Sequence, residues 1–242
     1  MFFTRLPCPT WLAYSEEYLN KSTKYFPLIG WIVGGSAALV FLFSTLLFPI
    51  SIAIVLSMIT TILITGAFHE DGFADVCDGF GGGWAPEKIL EIMKDSRVGA
   101  YGVIGMILIL LLKYSTLKAM QIEIEIIPLV LLSGHSISRF AASTLIFTLD
   151  YVRDDENSKV KPVAKKLSLK ELTVAGFFGI APLLLLPSYY SLLAIIPVFL
   201  MTTYLAHFFT KKIGGYTGDC LGATQQLTEI VFYLAMVTTI TN

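Results

Sequence analysis

The chain has 242 residues, of which 55% are hydrophobic and 14% charged, and its formal net charge is -1. A mean hydropathy of +0.72 is too high for a soluble domain of this length. The charge gives no sign of nucleic-acid binding, and no nucleic-acid partner is expected. The composition therefore predicts an integral membrane protein.

Seven apolar stretches are close in length to the roughly 20 residues that a helix needs to cross about 30 Å of hydrocarbon. They lie at residues 26–48, 50–68, 100–119, 126–149, 172–187, 190–208 and 226–241. Prolines interrupt the pair between 172 and 208, so a re-entrant or kinked hairpin is the alternative there. The sequence predicts an all-α bundle of about seven transmembrane helices, forming a single membrane domain over residues 1–242.

Lys and Arg residues are concentrated in the loops on one side of this bundle. Residues 1–25 and 69–99 hold three each, 150–171 hold six and 209–225 hold two, which is fourteen of the seventeen in the chain. By the positive-inside rule, these loops and the N-terminus face the cytoplasm and the C-terminus lies outside. We therefore expect a multi-pass protein of the cytoplasmic (inner) membrane. The lysines of the 150–171 loop are expected to contact anionic lipid.

A strongly acidic segment follows the second apolar stretch. It reads Phe68-His69-Glu70-Asp71-Gly72-Phe73-Ala74-Asp75-Val76-Cys77-Asp78-Gly79. In a helix, Asp71, Asp75 and Asp78 share one face, where like charges repel unless a cation lies among them. Carboxylate oxygens suit Mg²⁺, which takes few protein ligands and shares its remaining coordination with water and substrate phosphates. The segment predicts a cytoplasmic Mg²⁺ site and phosphoryl chemistry at the membrane surface.

The rest of the same loop contains further charged residues. Glu87, Glu91 and Asp95 repeat a helical spacing, although a surface helix carries charges in the same way and Glu87 is expected to be solvated. Lys94, Asp95 and Arg97 lie at the mouth of the third apolar stretch. A carboxylate flanked by cations there predicts a binding place for a nucleotide phosphate.

Two other segments contain candidate residues. Gly214–Ala223 surrounds Asp219 with four glycines, which permit close backbone approach to a ligand, although the pattern alone is weak. His135 and Arg139 lie near mid-membrane, where Arg139 either points into a cytoplasmic cavity or joins helices together. The three cysteines form no C-x-x-C pair and are expected to be free thiols on the reducing side without zinc: Cys8, Cys77 and Cys220.

Six segments, in this order, form a combination more specific than any one of them: Phe3–Pro7, Phe26–Gly30, His69–Gly79, Leu90–Gly99, Ser138-Arg139 and Gly214–Ala223. Together they resemble the cobalamin synthases, which are adenosylcobinamide-GDP ribazoletransferases. The resemblance implies a Mg²⁺-dependent membrane transferase. Such an enzyme moves adenosylcobinamide phosphate from adenosylcobinamide-GDP to α-ribazole or its 5′-phosphate, releasing GMP and forming adenosylcobalamin or its 5′-phosphate.

The implied reaction assigns roles to these candidate residues, since phosphoryl transfer depends on positioning and charge neutralisation. One or two Mg²⁺ ions are expected on Asp71, Asp75 and Asp78, which makes these the metal ligands. Glu70 and Asp95 are the candidate general bases and complete the catalytic set. The residues expected to bind substrate are Arg5, Lys94, Arg97, Arg139 and Asp219.

Two other functions are weighed against this one. Asp75-Val76-Cys77-Asp78-Gly79 also matches the opening of the motif of CDP-alcohol phosphotransferases, but Gly82 and Gly83 replace the Ala-Arg pair of that family. A cation-coupled transporter is the second alternative, because acids near a membrane mouth also line ion paths. The predicted cytoplasmic position of the acids argues against it. The sequence leaves a monomer and a homo-oligomer both open.

Overall fold

The computed structural model describes residues 4–7, 20–153, 166–187 and 189–241, and within these ranges its regular elements are helices. The α-helices are α1 (Phe26–Thr45), α2 (Ile50–Thr65), α3 (Phe68–Gly82), α4 (Pro86–Ile92), α5 (Ala100–Ala119), α6 (Ile127–Thr148), α7 (Leu169–Ile180), α8 (Ile195–Ile213) and α9 (Gly218–Thr241). Short 3-10 helices cover Thr23–Tyr25, Met120–Ile126, Ala181–Leu185 and Tyr189–Ala194. The predicted all-α class is confirmed.

Three helical stretches in the described ranges are long and apolar enough to cross a membrane: Asn20–Thr45, Ala100–Thr148 and Ser191–Ile213. The pair α2 and α3 adds a fourth if it is counted as one broken span. Ala100–Thr148 contains both α5 and α6, which meet where the Glu123 backbone is non-helical at φ -117° and ψ 67°. These apolar helices support a membrane protein. Each of the seven predicted stretches contains a helix, whereas seven crossings remain a prediction.

A sharp bend separates the apolar helix α2 from the acidic helix α3. Gly66 and Ala67 both adopt the left-handed conformation, with φ values of 69° and 59°. Left-handed backbone is ordinary for glycine but costs about 1 kcal/mol or more for alanine. The bend between the two helices is 89°, so the acidic segment does not continue the direction of α2. The helix predicted for Asp71, Asp75 and Asp78 is confirmed.

Small residues allow α1 and α6 to pack with their backbones in contact. A Cβ atom at Gly34 would lie 2.7 Å from the carbonyl oxygen of Leu131, and one at Gly30 would collide with the carbonyl oxygen of His135. This is the small-xxx-small arrangement by which membrane helices approach closely. It fixes the position of His135 and its neighbours on α6.

Gly30→Ala is expected to destabilise the protein by about 1 to 3 kcal/mol, because the added methyl group must push α1 away from the α6 backbone. Gly35→Ala is the matched control, since a Cβ atom at Gly35 meets nothing within 4 Å. Alanine also has the higher helix propensity, so the control is expected to be neutral or stabilising. Thermal unfolding in detergent checks both variants. Equal stability of the two would contradict the close approach.

Candidate active site

Two glycines bring the acidic helix α3 against the start of α9. A Cβ atom at Gly72 would lie 3.0 Å from Cα of Asp219, and one at Gly222 would lie 3.0 Å from the carbonyl oxygen of His69. Because these residues lack side chains, the two helices meet backbone to backbone. The contact places Asp219 beside the carboxylate face of α3.

Asp71, Asp75 and Asp219 form what we call the acidic cluster. Asp75 is half-buried and interacts electrostatically with Asp219, Asp71 and also Asp78. These like charges repel one another, and a cation among them would relieve the repulsion.

The acidic cluster is not a preformed metal cage. Within the described ranges, no three Asp, Glu, His or Cys side chains converge closely enough to hold a metal by themselves. Its donor set is nevertheless made of hard carboxylate oxygens, and Asp71 is exposed to solvent. Such donors fit Mg²⁺, which is usually bound by one or two carboxylates together with water and substrate phosphates.

Asp78 has a structural role that its spacing did not indicate. Its Oδ2 accepts a hydrogen bond of 2.6 Å from the Gly99 N–H, and its Oδ1 accepts one of 2.8 Å from the Gly102 N–H. The carboxylate thus caps the N-terminus of α5, where helix N–H groups lack partners and a negative charge is favourable. Sequence analysis predicted Asp78 as a Mg²⁺ ligand, but both of its carboxylate oxygens already accept hydrogen bonds from backbone N–H groups.

Arg97 and Asp95, two predicted site residues, bind each other. Arg97 Nε lies 3.0 Å from Asp95 Oδ1, and its NH2 atom lies 2.6 Å from Oδ2. These hydrogen bonds from Arg97 lower the pKa of Asp95 to about 2. A carboxylate with so low a pKa is a weak general base at neutral pH. The side chains of Arg97 and the neighbouring Lys94 are exposed. Both residues precede Gly99, whose N–H donates to Asp78 of α3.

Arg5 lies at the bend between α2 and α3. Its backbone N–H donates a hydrogen bond of 2.7 Å to the carbonyl oxygen of Ile64, and its side chain lies against Gly66. The side chain is exposed. The structure therefore brings this predicted phosphate ligand to the end of the bundle where α3 begins.

Glu70 and Arg139 lie inside the bundle. Gln226 Nε2 of α9 donates a hydrogen bond of 3.0 Å to Glu70 Oε1, while Glu70 Oε2 has no hydrogen-bond partner. Arg139 is 1% exposed and donates a hydrogen bond of 2.8 Å to the carbonyl oxygen of His135. The Arg139 guanidinium also lies 5.7 Å from the centroid of the Phe26 ring of α1, so Arg139 belongs to a buried network between helices. This favours the helix-joining interpretation, and its role in substrate binding stays a prediction.

A fully buried carboxylate, Glu229 of α9, is the centre of this network. Lys113 Nζ of α5 lies 2.7 Å from Glu229, and Nδ1 of His135 lies 3.3 Å from it. Tyr233 and Gln225 donate further hydrogen bonds of 2.9 and 2.5 Å to its two oxygens. Sequence analysis noted His135 but missed Lys113 and Glu229. The available signal was a Lys inside the long apolar run of α5 and a Glu in the middle of α9, shortly after two glutamines.

A short parallel bridge joins two of the predicted cytoplasmic loops. The Tyr216 N–H donates to the carbonyl oxygen of Asp150, and the Val152 N–H donates to that of Tyr216, both at 3.0 Å. The bridge directs Arg153 toward the acidic cluster, where its NH2 atom lies 2.8 Å from Asp219 Oδ2. Sequence analysis counted Arg153 only as a loop charge, because nothing in the sequence indicated this pairing.

Fold and site together define a helical membrane protein with an acidic site at one end of its bundle. The chain belongs to the cobalamin-5-phosphate synthase family, whose model matches residues 1–237. The resemblance found in the sequence is confirmed.

Several curated relatives are named adenosylcobinamide-GDP ribazoletransferase. The protein of Shewanella frigidimarina is 46% identical over 98% of this chain and 91% of its own length. That of Shewanella amazonensis is 46% identical over 98% and 92%, and that of Shewanella oneidensis 42% over 98% and 90%. No solved structure matches the chain.

Proposed function

We propose that this chain is an integral-membrane adenosylcobinamide-GDP ribazoletransferase. It would transfer adenosylcobinamide phosphate to α-ribazole or α-ribazole 5′-phosphate, forming adenosylcobalamin or its 5′-phosphate and releasing GMP. Membership of the cobalamin-5-phosphate synthase family and the names of the relatives support this reaction. The observation that carries the proposal is the contact at Gly72, which sets Asp219 beside the carboxylates of α3.

The proposed cofactor is Mg²⁺, with Asp71 and Asp75 as its protein ligands and Asp219 beside them. When bound, the ion would neutralise charge on the diphosphate during transfer. The set of Mg²⁺ ligands predicted from the sequence also included Asp78. Its two hydrogen bonds to backbone N–H groups of α5 favour a positioning role for this residue. The half-buried position of Asp75 among other carboxylates supports a cation at the acidic cluster.

In the proposed reaction, a ribose hydroxyl oxygen attacks the phosphorus bound to cobinamide, and the bond from that phosphorus to GMP breaks. The hydroxyl proton passes to a base, for which Glu70 and Asp95 are the predicted acceptors. The pairing of Asp95 with Arg97 makes Asp95 the weaker of the two candidates. Phosphate oxygens would be held by exposed basic residues at this end of the bundle: Arg5, Lys94 and Arg97.

We place this end of the bundle in the cytoplasm and the protein in the cytoplasmic membrane, in contact with anionic lipid. Contacts between the loops support a shared side: Gly72 lies against Asp219, and Arg153 pairs with Asp219. Arg5 bonds to Ile64 at the same end of α2. Seven crossings would bring these loops to one face and leave the C-terminus outside.

Cysteine labelling tests this topology. In a variant lacking Cys8, Cys77 and Cys220, single cysteines at Gly82 and Gly218 are expected to react with an impermeant maleimide only after the cells are opened. A cysteine at Leu47, which is 78% exposed in the turn between α1 and α2, is expected to react in intact cells. Labelling of Gly82 from outside would contradict the orientation.

An assay of GMP release tests the reaction itself. Protein purified into nanodiscs is given adenosylcobinamide-GDP with or without α-ribazole, and with Mg²⁺ or EDTA. GMP is expected to appear only when both α-ribazole and Mg²⁺ are present. Absence of GMP under all conditions would contradict the proposal, and CMP release from a CDP-alcohol would favour the phosphotransferase alternative.

Arg97→Lys is expected to lower kcat/KM about ten- to a hundredfold, because lysine cannot reproduce the planar fork that binds two phosphate oxygens at once. If Arg97 only anchors α5 to lipid headgroups, lysine would serve equally well and the kinetics would be unchanged. Steady-state measurement of GMP release distinguishes these outcomes.

A further inference from the structure

We propose that Arg153 is the protein's diphosphate clamp: its guanidinium pairs with Asp219 before substrate binds and then contacts the diphosphate of the substrate in place of that carboxylate. This inference rests on the proposed function, since it requires a diphosphate ester as the ligand. It adds a substrate-binding residue that lies far from α3 in sequence.

Charge at the site favours such a clamp. The acidic cluster carries three carboxylates, and Asp78 adds a fourth one turn along α3. A diphosphate would be repelled from this surface unless positive groups accompany it. Arg153 interacts electrostatically with both Asp75 and Asp219, so the fold itself places a permanent positive charge among the acids.

The guanidinium of Arg153 retains capacity for a ligand. A guanidinium has five N–H donors in a planar fork, and the ion pair with Asp219 engages a single oxygen, Oδ2. Arg153 Nε is buried and has no hydrogen-bond partner. A buried donor without a partner is costly, and a phosphate oxygen is a suitable acceptor for it.

Backbone contacts hold Arg153 in this position. The two hydrogen bonds of the Tyr151–Tyr216 bridge lie directly before it, and the two tyrosine rings meet edge to face with centroids 5.5 Å apart. Gly215 allows the two backbone segments of the bridge to approach, because a Cβ atom there would collide with the carbonyl oxygen of Asp150. The loop that contains Arg153 is thereby tied to the loop that contains Asp219.

Binding of adenosylcobinamide-GDP in nanodiscs, without α-ribazole so that no turnover occurs, tests the clamp. Arg153→Gln and Arg153→Lys are expected to raise Kd about ten- to a hundredfold, both with EDTA and with Mg²⁺. Asp219→Asn is expected to bind as tightly as wild type or more tightly in EDTA, because it releases Arg153 from its competitor. Lys211→Gln, an exposed basic residue near the same loop, is the control and is expected to leave Kd unchanged.

A purely structural ion pair would give a different pattern. Arg153→Gln and Asp219→Asn would then lower thermal stability alike and change Kd in the same direction, and that result would overturn the clamp. Unchanged Kd in Arg153→Gln would overturn it as well. Failure of wild type to bind the ester with either EDTA or Mg²⁺ would contradict the proposed function itself, so the two failures are distinguishable.

Gly215→Ala provides a second test that removes no charge. The added methyl group must displace the Asp150 backbone and so shift Arg153 from Asp219. Kd is expected to rise as it does in Arg153→Gln. Gly218→Ala is the control, because a Cβ atom at Gly218 meets open space. Gly214 cannot serve, because its φ of 82° would strain any other residue. Equal Kd values for Gly215→Ala and Gly218→Ala would overturn the role of the bridge.

Discussion

Asp71→Asn and Asp75→Asn are each expected to lower kcat for GMP release by at least about a hundredfold, because an amide oxygen binds Mg²⁺ more weakly and neutralises less of its charge. Removal of the metal with EDTA is expected to abolish wild-type activity, and added Mg²⁺ to restore it. Both variants should unfold at temperatures close to that of wild type. Activity above about a tenth of wild type in both would remove these residues from the proposed metal site.

Asp78→Asn is the comparison that separates catalysis from folding. An asparagine amide can accept a hydrogen bond through its oxygen only, so either Gly99 or Gly102 loses its acceptor. We expect this variant to lose about 1 to 3 kcal/mol of stability, a change that Asp75→Asn should not show. Equal stability of the two variants would contradict the capping role of Asp78.

Glu229→Gln is expected to cost about 3 to 5 kcal/mol, because it leaves Lys113 buried without its counter-ion. Lys113→Met should cost a similar amount by removing the cation that compensates the buried charge of Glu229. The double variant is expected to be more stable than the sum of the two losses predicts, since it buries neither uncompensated charge. Reversible unfolding in mixed micelles measures all three, and strictly additive losses would contradict the buried pair.

Much of the acidic site could be predicted from local sequence. The spacing of Asp71 and Asp75 is a helical signal. The segment also contains four glycines, which lower helix propensity, so the packing of α3 against α9 and α5 supports the helix. The glycines around Asp219 indicated a close backbone approach to a ligand, whereas nothing in the sequence indicated that Gly72 and Gly222 would bring α3 and α9 together. That they would meet each other depends on how α3 and α9 pack, which spacing alone does not determine.

The remaining features are pairings between residues distant in sequence. Asp78 has the same spacing signal as Asp75, yet its oxygens are used by the start of α5. Arg153 joins the site only because a loop after α6 pairs with the loop before α9. Lys113 and Glu229 lie on helices distant in sequence, and no local pattern identifies them as partners. Each depends on tertiary geometry, so sequence periodicity could not reveal it.

The buried pair of Lys113 and Glu229 also constrains the order in which the bundle is assembled. Lys113 enters the membrane with α5, whereas its counter-ion arrives later with α9, after α6, α7 and α8 have been synthesised. Until then the lysine is either solvated at the interface or held within the translocation machinery, because an isolated charge in lipid is costly. A chain truncated before Glu229 therefore leaves Lys113 without its counter-ion, and we expect the cell to degrade such a chain.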